Sequence, residues 1–173
     1  SHIKFITEKT LKISKLITKS RFKADEDEQK VNVIQFINEY VETYSYAFSD
    51  KVKITVDSSE EFITRLSILD LSVIIDNLIS NSLKAEANIV EIKLFVEKRD
   101  LVMLFSDNGT GLDKSRIGIE NSIFDLGVKT TNEGSGIGLS TVKKKMKEMS
   151  GDINYLGSGV YLRGATFRLD FKK

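Results

Sequence analysis

The chain has 173 residues, with 26 Lys plus Arg against 25 Asp plus Glu, one histidine, no cysteine and no proline. That length suits one ordinary domain with a real core. Balanced charge gives no global attraction to nucleic acid or anionic membranes, and the lack of cysteine excludes disulfides and thiolate chemistry.

Taken in chain order, residues 3–22 place Ile6, Leu11, Ile13, Leu16 and Ile17 at helical spacing, which predicts an amphipathic helix with a basic outer face. The acidic ADEDEQ at 24–29 reads as a linker leading into a helix start. From VNVIQF onward, Val33, Phe36, Ile37, Tyr40, Val41 and Tyr44 keep the helical period, and Tyr40, Tyr44 and Tyr46 read as packing residues. KVKITV alternates like a strand, with EFITRL as its expected partner. A helix is expected from about Leu69 to Ala85, then two strands, IVEIKLFV and LVMLFS, about the turn KRD. A loop rich in Gly, Asn and Thr fills 107–136. Ile137 to Met149 reads as a helix, and INYLG and GATFRLDF close the chain as strands. Helices separating strand pairs imply an α+β fold, an antiparallel or mixed sheet with helices on one face. No stretch reaches the apolar length of a membrane span, no signal peptide is visible, and the chain reads as a piece of something longer.

Four stretches carry chemistry. In DNLISNSLKA, 76–85, Asn77, Asn81 and Lys84 fall within a sector about 60° wide on one helix face, beside the apolar Leu71, Ile74, Ile75, Leu78 and Ile79. Two amides and an ammonium in that order can supply oxygen ligands and positive charge to an anion–metal complex, or simply a polar face. In DNGTG, 107–111, Asp107 can accept from a ligand amine while Gly109 and Gly111 admit close approach; a tight Asp-Asn-Gly turn is the plainer alternative. In EGSGIGLS, 133–140, Gly134, Gly136 and Gly138 alternate before a helix, where free N–H groups can meet a phosphate, or where a hinge can flex. The dinucleotide fingerprint needs a preceding strand, and here the polar KTTNE precedes; the Walker lysine is absent too. The fourth, SIFDLGVKTT, 122–131, holds Phe124 and the polar trio Lys129, Thr130 and Thr131, which suits a lid over a ligand or an ordinary surface loop. The run KKKMKE at 143–148 reads as a solvated helix face.

In this order and spacing, DNLISNSLK, DNGTG, SIFDLG and GSGIGL resemble the N box, first glycine box, F box and second glycine box of the GHKL superfamily of ATP-binding domains. That superfamily includes DNA gyrase, Hsp-type chaperones, sensor histidine kinases and MutL-type mismatch-repair proteins. The resemblance covers about residues 30–173 and implies a two-layer α/β sandwich with a mixed, mostly antiparallel sheet. It implies that Asp107 receives the adenine amine, that Gly109 and Gly111 shape the purine pocket, and that Asn81 ligates Mg²⁺. It also implies that Asn77 and Lys84 act at the triphosphate. The amides of Gly134, Ser135, Gly136, Ile137, Gly138 and Leu139 would cradle the phosphates beneath a mobile lid bearing Lys129, Thr130 and Thr131.

Members that hydrolyse ATP to drive clamps resemble one another in placing Glu one turn before the metal-binding Asn. Here that position is Asn77, whose amide cannot serve as a base, and Asp76 lies about 100° around the helix. The stretch NLISNSLK looks most like sensor histidine kinases, in which a histidine is itself the nucleophile. The expectation is therefore a histidine-kinase catalytic domain using ATP and Mg²⁺, with a nucleotide-controlled interaction module or a clamp-type ATPase as alternatives. Residues 1–28 would be the helix and linker ending a dimerisation hairpin, and 29–173 the catalytic domain. The only histidine, His2, is followed by Ile-Lys and not by an acid, so the phosphoacceptor helix must lie elsewhere. A response regulator, a homodimer in the longer protein and a cytoplasmic setting, as part of a membrane-bound sensor or not, follow from the same resemblance. Neither nucleic acid nor membrane contact is expected. One departure is Ala165, where gyrase and the chaperones carry Thr after the glycine; Thr166 should face the other side of the strand.

Overall fold

A computed structural model describes residues 28–47, 50–58, 60–112, 123–125, 127–128 and 136–173. The helix expected at 3–22 lies outside them. In order, the described elements are β1 (Gln29–Asn32), α1 (Val33–Ala47), β2 (Lys53–Ser58), β3 (Ile63–Leu66), α2 (Ile68–Lys84), β4 (Ile89–Glu97), β5 (Asp100–Asp107), α3 (Gly138–Glu148), β6 (Asp152–Ser158) and β7 (Ala165–Phe171). Five strands form one sheet in the order β2-β4-β5-β7-β6. The β2–β4 pair is parallel and the rest antiparallel, the mixed sheet expected.

One face of that sheet makes the core. Ile92, Phe105 and Phe167 lie in register across β4, β5 and β7, and Leu94, Met103 and Leu169 form the next row. These side chains join Phe36 and Ile37 of α1, Leu71, Ile74 and Leu78 of α2, and Leu139, Val142 and Met146 of α3 in a single apolar cluster. All three helices therefore back the same face, giving two layers. The opposite face carries Glu91, Lys93, Arg168 and Asp170; Arg168 donates to Glu97 at 2.7 Å and to Asp170 at 2.8 Å.

The long helix α2 starts where Ser67 accepts the Asp70 N–H at 3.2 Å, an N-cap. Its buried Leu71, Ile74, Ile75, Leu78 and Ile79 repeat at the helical period, each side chain contributing about 1.5–3 kcal/mol gross on burial. Its polar side is thereby held toward α3, and Lys145 of α3 bridges to Asp70 at 2.9 Å.

Three local expectations need correction. The chain after the acidic stretch first forms the short strand β1, and helix α1 begins only at Val33, where Asn32 Oδ1 accepts the Gln35 N–H at 3.3 Å. EFITRL does not pair with KVKITV: β3 pairs with β1, and β2 runs parallel to β4. A parallel pair needs a crossover, which α2 supplies, and the apolar β4 offers β2 six residues of register. Finally, Tyr46 is 91 % exposed and so is no packing residue, whereas Tyr40 is buried; the side chain of Tyr44 lies outside the described set.

Candidate functional site

Strand β5 ends in Asp107, and the following turn folds back onto the end of α2. Asn108 holds that turn: its Oδ1 accepts the Asn88 and Ile89 N–H groups at 3.0 and 2.9 Å, and its Nδ2 donates to Asn88 Oδ1 at 2.6 Å. Thr110 N–H donates to Ala85 O at 2.8 Å. A β-carbon on Gly109 would stand 2.5 Å from that same Ala85 oxygen, so only glycine lets the turn lie this close to the helix end.

Asp107 is 3 % exposed and accepts three hydrogen bonds. Its Oδ1 accepts the Gly109 N–H at 2.9 Å and the Ala165 N–H at 3.3 Å, and its Oδ2 accepts the Ser82 hydroxyl at 2.8 Å. A buried carboxylate needs such donors. Gly164 completes the seat: a β-carbon there would fall 2.0 Å from Asp107 Oδ1. Asp107 opens onto a small cleft, partly open to solvent and lined also by Asn81, Ala85, Gly111, Leu112, Leu139, Ala165 and Phe167. Apolar walls around one acceptor suit a flat heterocycle carrying a donor. Thr166 turns away, sharing a hydrogen bond of 3.2 Å with Ser106 on the opposite sheet face, as expected.

Beyond the cleft lies the N-terminus of α3. Ile137 starts it with no side-chain cap, and the hydroxyls of Ser140 and Thr141 donate back to Ile137 O at 2.8 and 2.9 Å. Among the described residues no side chain caps the leading N–H groups, and their positive end suits an anion. Facing it are the two predicted amides. The position of a β-carbon on Gly138 lies 3.1 Å from Asn77 Oδ1 and 3.4 Å from Asn81 Oδ1. Asn77 Nδ2 is committed to Val73 O at 2.7 Å, which aims its oxygen at α3. Asn81 Nδ2 is buried and has no hydrogen-bond partner among the described residues. Such an orphan is uncommon in a finished site, and the donor chemistry of the amide fits a ligand that completes it.

Of the predicted residues, Asn81, Asp107, Gly111 and Leu139 line the cleft. Asn77 and Gly138 meet at its rim, and Gly109 underlies it. Ile137 points outward, 54 % exposed, and can contribute only backbone. Gly136 O accepts the Gly127 N–H at 2.9 Å, joining the two glycine-bearing loops. Lys84 sits half-buried in the last turn of α2 and is not among the lining residues. Lys129, Thr130, Thr131, Gly134 and Ser135 lie outside the described residues. Phe124 is buried and meets Phe167 edge-on, the anchor expected of it. Ser82 and Gly164 were not expected: both act through contacts with Asp107 that no local spacing reveals.

The lysines of the basic run on α3 are paired with carboxylates, and none of them lines the cleft. Lys143 and Lys147 pair with Asp152 at 2.5 and 3.3 Å, and Lys145 with Asp70. Hydrogen bonds from Lys145 to Asp70, then Glu148, raise its pKa. Burial pushes the Asp152 carboxyl up, but bonds from Lys143, the Ile153 N–H and Lys147 outweigh it and leave it below its ordinary range.

A two-layer α/β domain with an acceptor-floored cleft beside a helix N-terminus suits a ligand that joins a donor-bearing ring to an anion. Residues 66–173 match the family described as "Histidine kinase-, DNA gyrase B-, and HSP90-like ATPase", and the chain belongs to that family. Among solved structures it resembles the catalytic domain of the histidine kinase ThkA, with TM-score 0.69 and 17 % identity over 85 % of this chain and 96 % of that one. It also resembles the ATP-binding domain of PrrB from Mycobacterium tuberculosis, with TM-score 0.66 and 19 % identity over 85 % and 96 %. At these identities the likeness is one of fold. In sequence it is similar to the sensor protein kinase HptS of Staphylococcus aureus, 29 % identical over 98 residues, which are 53 % of this chain. The match spans 19 % of that relative's length. Among the described residues, no helix is long and apolar enough to cross a membrane.

Proposed function

We propose that the domain binds Mg-ATP in this cleft and serves as the catalytic part of a sensor histidine kinase, passing the γ-phosphate to a histidine presented from elsewhere. The adenine amine would donate to Asp107 between the walls of Ala85, Leu112, Leu139 and Phe167. The triphosphate would then run toward the amides of α3. Asn81 would hold Mg²⁺ through its oxygen, consistent with an ion that takes few protein ligands beside phosphate oxygens. When bound, the ion supplies charge neutralisation at the phosphates. Asn77, Lys84 and the loop residues Lys129, Thr130, Thr131, Gly134 and Ser135 are assigned to the triphosphate on the strength of the motifs alone.

One observation favours transfer over hydrolysis. The side chains facing Gly138 are the amides of Asn77 and Asn81, and the neighbouring carboxylate, Asp76, is buried and accepts from Tyr40 OH at 2.7 Å. The atoms nearest Gly138 thus belong to amides, which cannot take a proton from water as a carboxylate would. A missing general base costs about 10²–10⁴-fold in rate. An imidazole needs none, since it is the nucleophile; the domain has only to position ATP and offset its charge. The phosphoacceptor helix, a response regulator and dimerisation through residues before 29 belong to this same reading.

Steady-state hydrolysis by this chain should run slower than about 1 s⁻¹, the low end of ordinary enzymes. A longer protein bearing the histidine should acquire label from γ-labelled ATP as a base-stable, acid-labile product. Fast hydrolysis with no labelled protein would overturn the proposal in favour of a clamp ATPase.

A further inference from the structure

We infer that Ser82 is a positioning residue for nucleobase selection, setting the one acceptor that Asp107 presents to the cleft. The inference rests on the reading of Asp107 as the group that receives the ring amine. Ser82 is 1 % exposed and does not line the cleft, so it cannot touch a ligand directly. Its hydroxyl has two acceptors in reach, Asp107 Oδ2 at 2.8 Å and Leu78 O at 3.3 Å. With one proton to give, the shorter bond to a carboxylate is favoured, because charge-assisted bonds are the stronger class.

The consequence follows from counting. A carboxylate offers about four acceptor positions. The Gly109 and Ala165 N–H groups take both on Oδ1, and Ser82 takes one on Oδ2. One position is left, on Oδ2. Gly164 presses against Oδ1, so the carboxylate has little room to turn about its last torsion, and Ser82 fixes the side that remains. The site then presents a single acceptor in a fixed direction to an apolar cleft. A purine with an amine at its six position satisfies it, and one with hydrogen there leaves it bare. Unpaired buried acceptors are costly, which is how a site rejects the wrong base. Without the Ser82 hydroxyl, Oδ2 carries two open positions that water can fill from the cleft, and the demand for the amine relaxes.

The test compares ATP with purine ribonucleoside triphosphate, which lacks the amine, by calorimetry on the wild-type chain, Ser82→Ala and Ser82→Cys. Wild type should prefer ATP. Ser82→Ala should lose roughly tenfold of that preference, a hydrogen bond's worth, with affinity for the analogue nearly unchanged. Ser82→Cys fills the site with a weaker donor and should fall between them. It also carries the test if the alanine variant does not fold, which thermal melting will reveal. Equal losses for both nucleotides, or none, would overturn the role of Ser82 while leaving Asp107 as the amine acceptor. Equal affinity of wild type for the two nucleotides would overturn the Asp107 reading and this inference together.

Discussion

The two ends of the cleft are built to different degrees of completion. At the base end every polar group of Asp107 but one is already satisfied, by Ser82, Gly109 and Ala165. At the proposed phosphate end, among the described residues, the leading amides of α3 have no side-chain cap and Asn81 carries a buried nitrogen with no partner. On the proposed reading, a prewired pocket costs little ordering when it binds, so the base end would select. The other end holds donors whose partners are best supplied by an anion, so it should take most of its order from the ligand. Selection and response would then be separated along one cleft.

The sharpest way to break this contrast is at Gly164. A methyl there would sit 2.0 Å from Asp107 Oδ1 and 2.6 Å from the Gly109 nitrogen, both parts of the base end. Because the second neighbour is backbone, no side-chain rotation relieves it. Gly164→Ala should cost about 1–3 kcal/mol of stability, the usual range for overpacking. It should also weaken ATP by at least the roughly 10–100-fold carried by one hydrogen bond to a charged group. Melting and calorimetry read the two effects. Normal affinity in a folded variant would mean that Asp107 is not seated as described.

How legible each end is in sequence follows from the range of its contacts. Helices α2 and α3 and the β4–β5 hairpin declare themselves because their apolar periods are local. Asn77, Asn81, Asp107 and the glycines are legible for the same reason, as short spaced groups. The partnership of β2 with β4 is not, since parallel strands are joined through a crossover and nothing in KVKITV names its neighbour. Nor is Ser82, which reads as one more helix serine until folding brings it to a carboxylate 25 residues away. Gly164 likewise has meaning only after β7 is laid beside β5. The pattern names the groups that line the cleft better than those that hold them in place.

At the unfinished end, Asn81→Ala sharpens the comparison because its effect should depend on metal. On the proposed reading, removing the amide removes a metal ligand; it also removes the orphaned nitrogen, whose burial is itself unfavourable. The folded chain should lose little stability or gain slightly. ATP affinity with Mg²⁺ should drop about tenfold, while affinity in chelator should barely move. An equal drop in both conditions would make Asn81 a part of the base end, and the division of the cleft would fail.

The smallest effect lies behind the phosphate end, where Lys145 ties α3 to Asp70 of α2 at 2.9 Å. This tether is remote from the cleft, so Lys145→Ala should spare nucleotide selection and change only folding stability, by about 0.2–1 kcal/mol as for other part-exposed pairs. The sign with pH follows from the hydrogen bonds to Asp70 and Glu148, which raise the Lys145 pKa above its ordinary 10.5. A group whose folded pKa is raised stabilises fully below its unfolded value and loses that contribution as pH rises through the folded one. The difference between wild type and variant should therefore persist through neutral pH, then fade in the alkaline range above 10.5. It should also shrink in strong salt, since the pair is partly exposed. Denaturant melts at neutral and alkaline pH measure it. A variant as stable as wild type at neutral pH would show that the Lys145–Asp70 pair contributes nothing to holding α3 against α2.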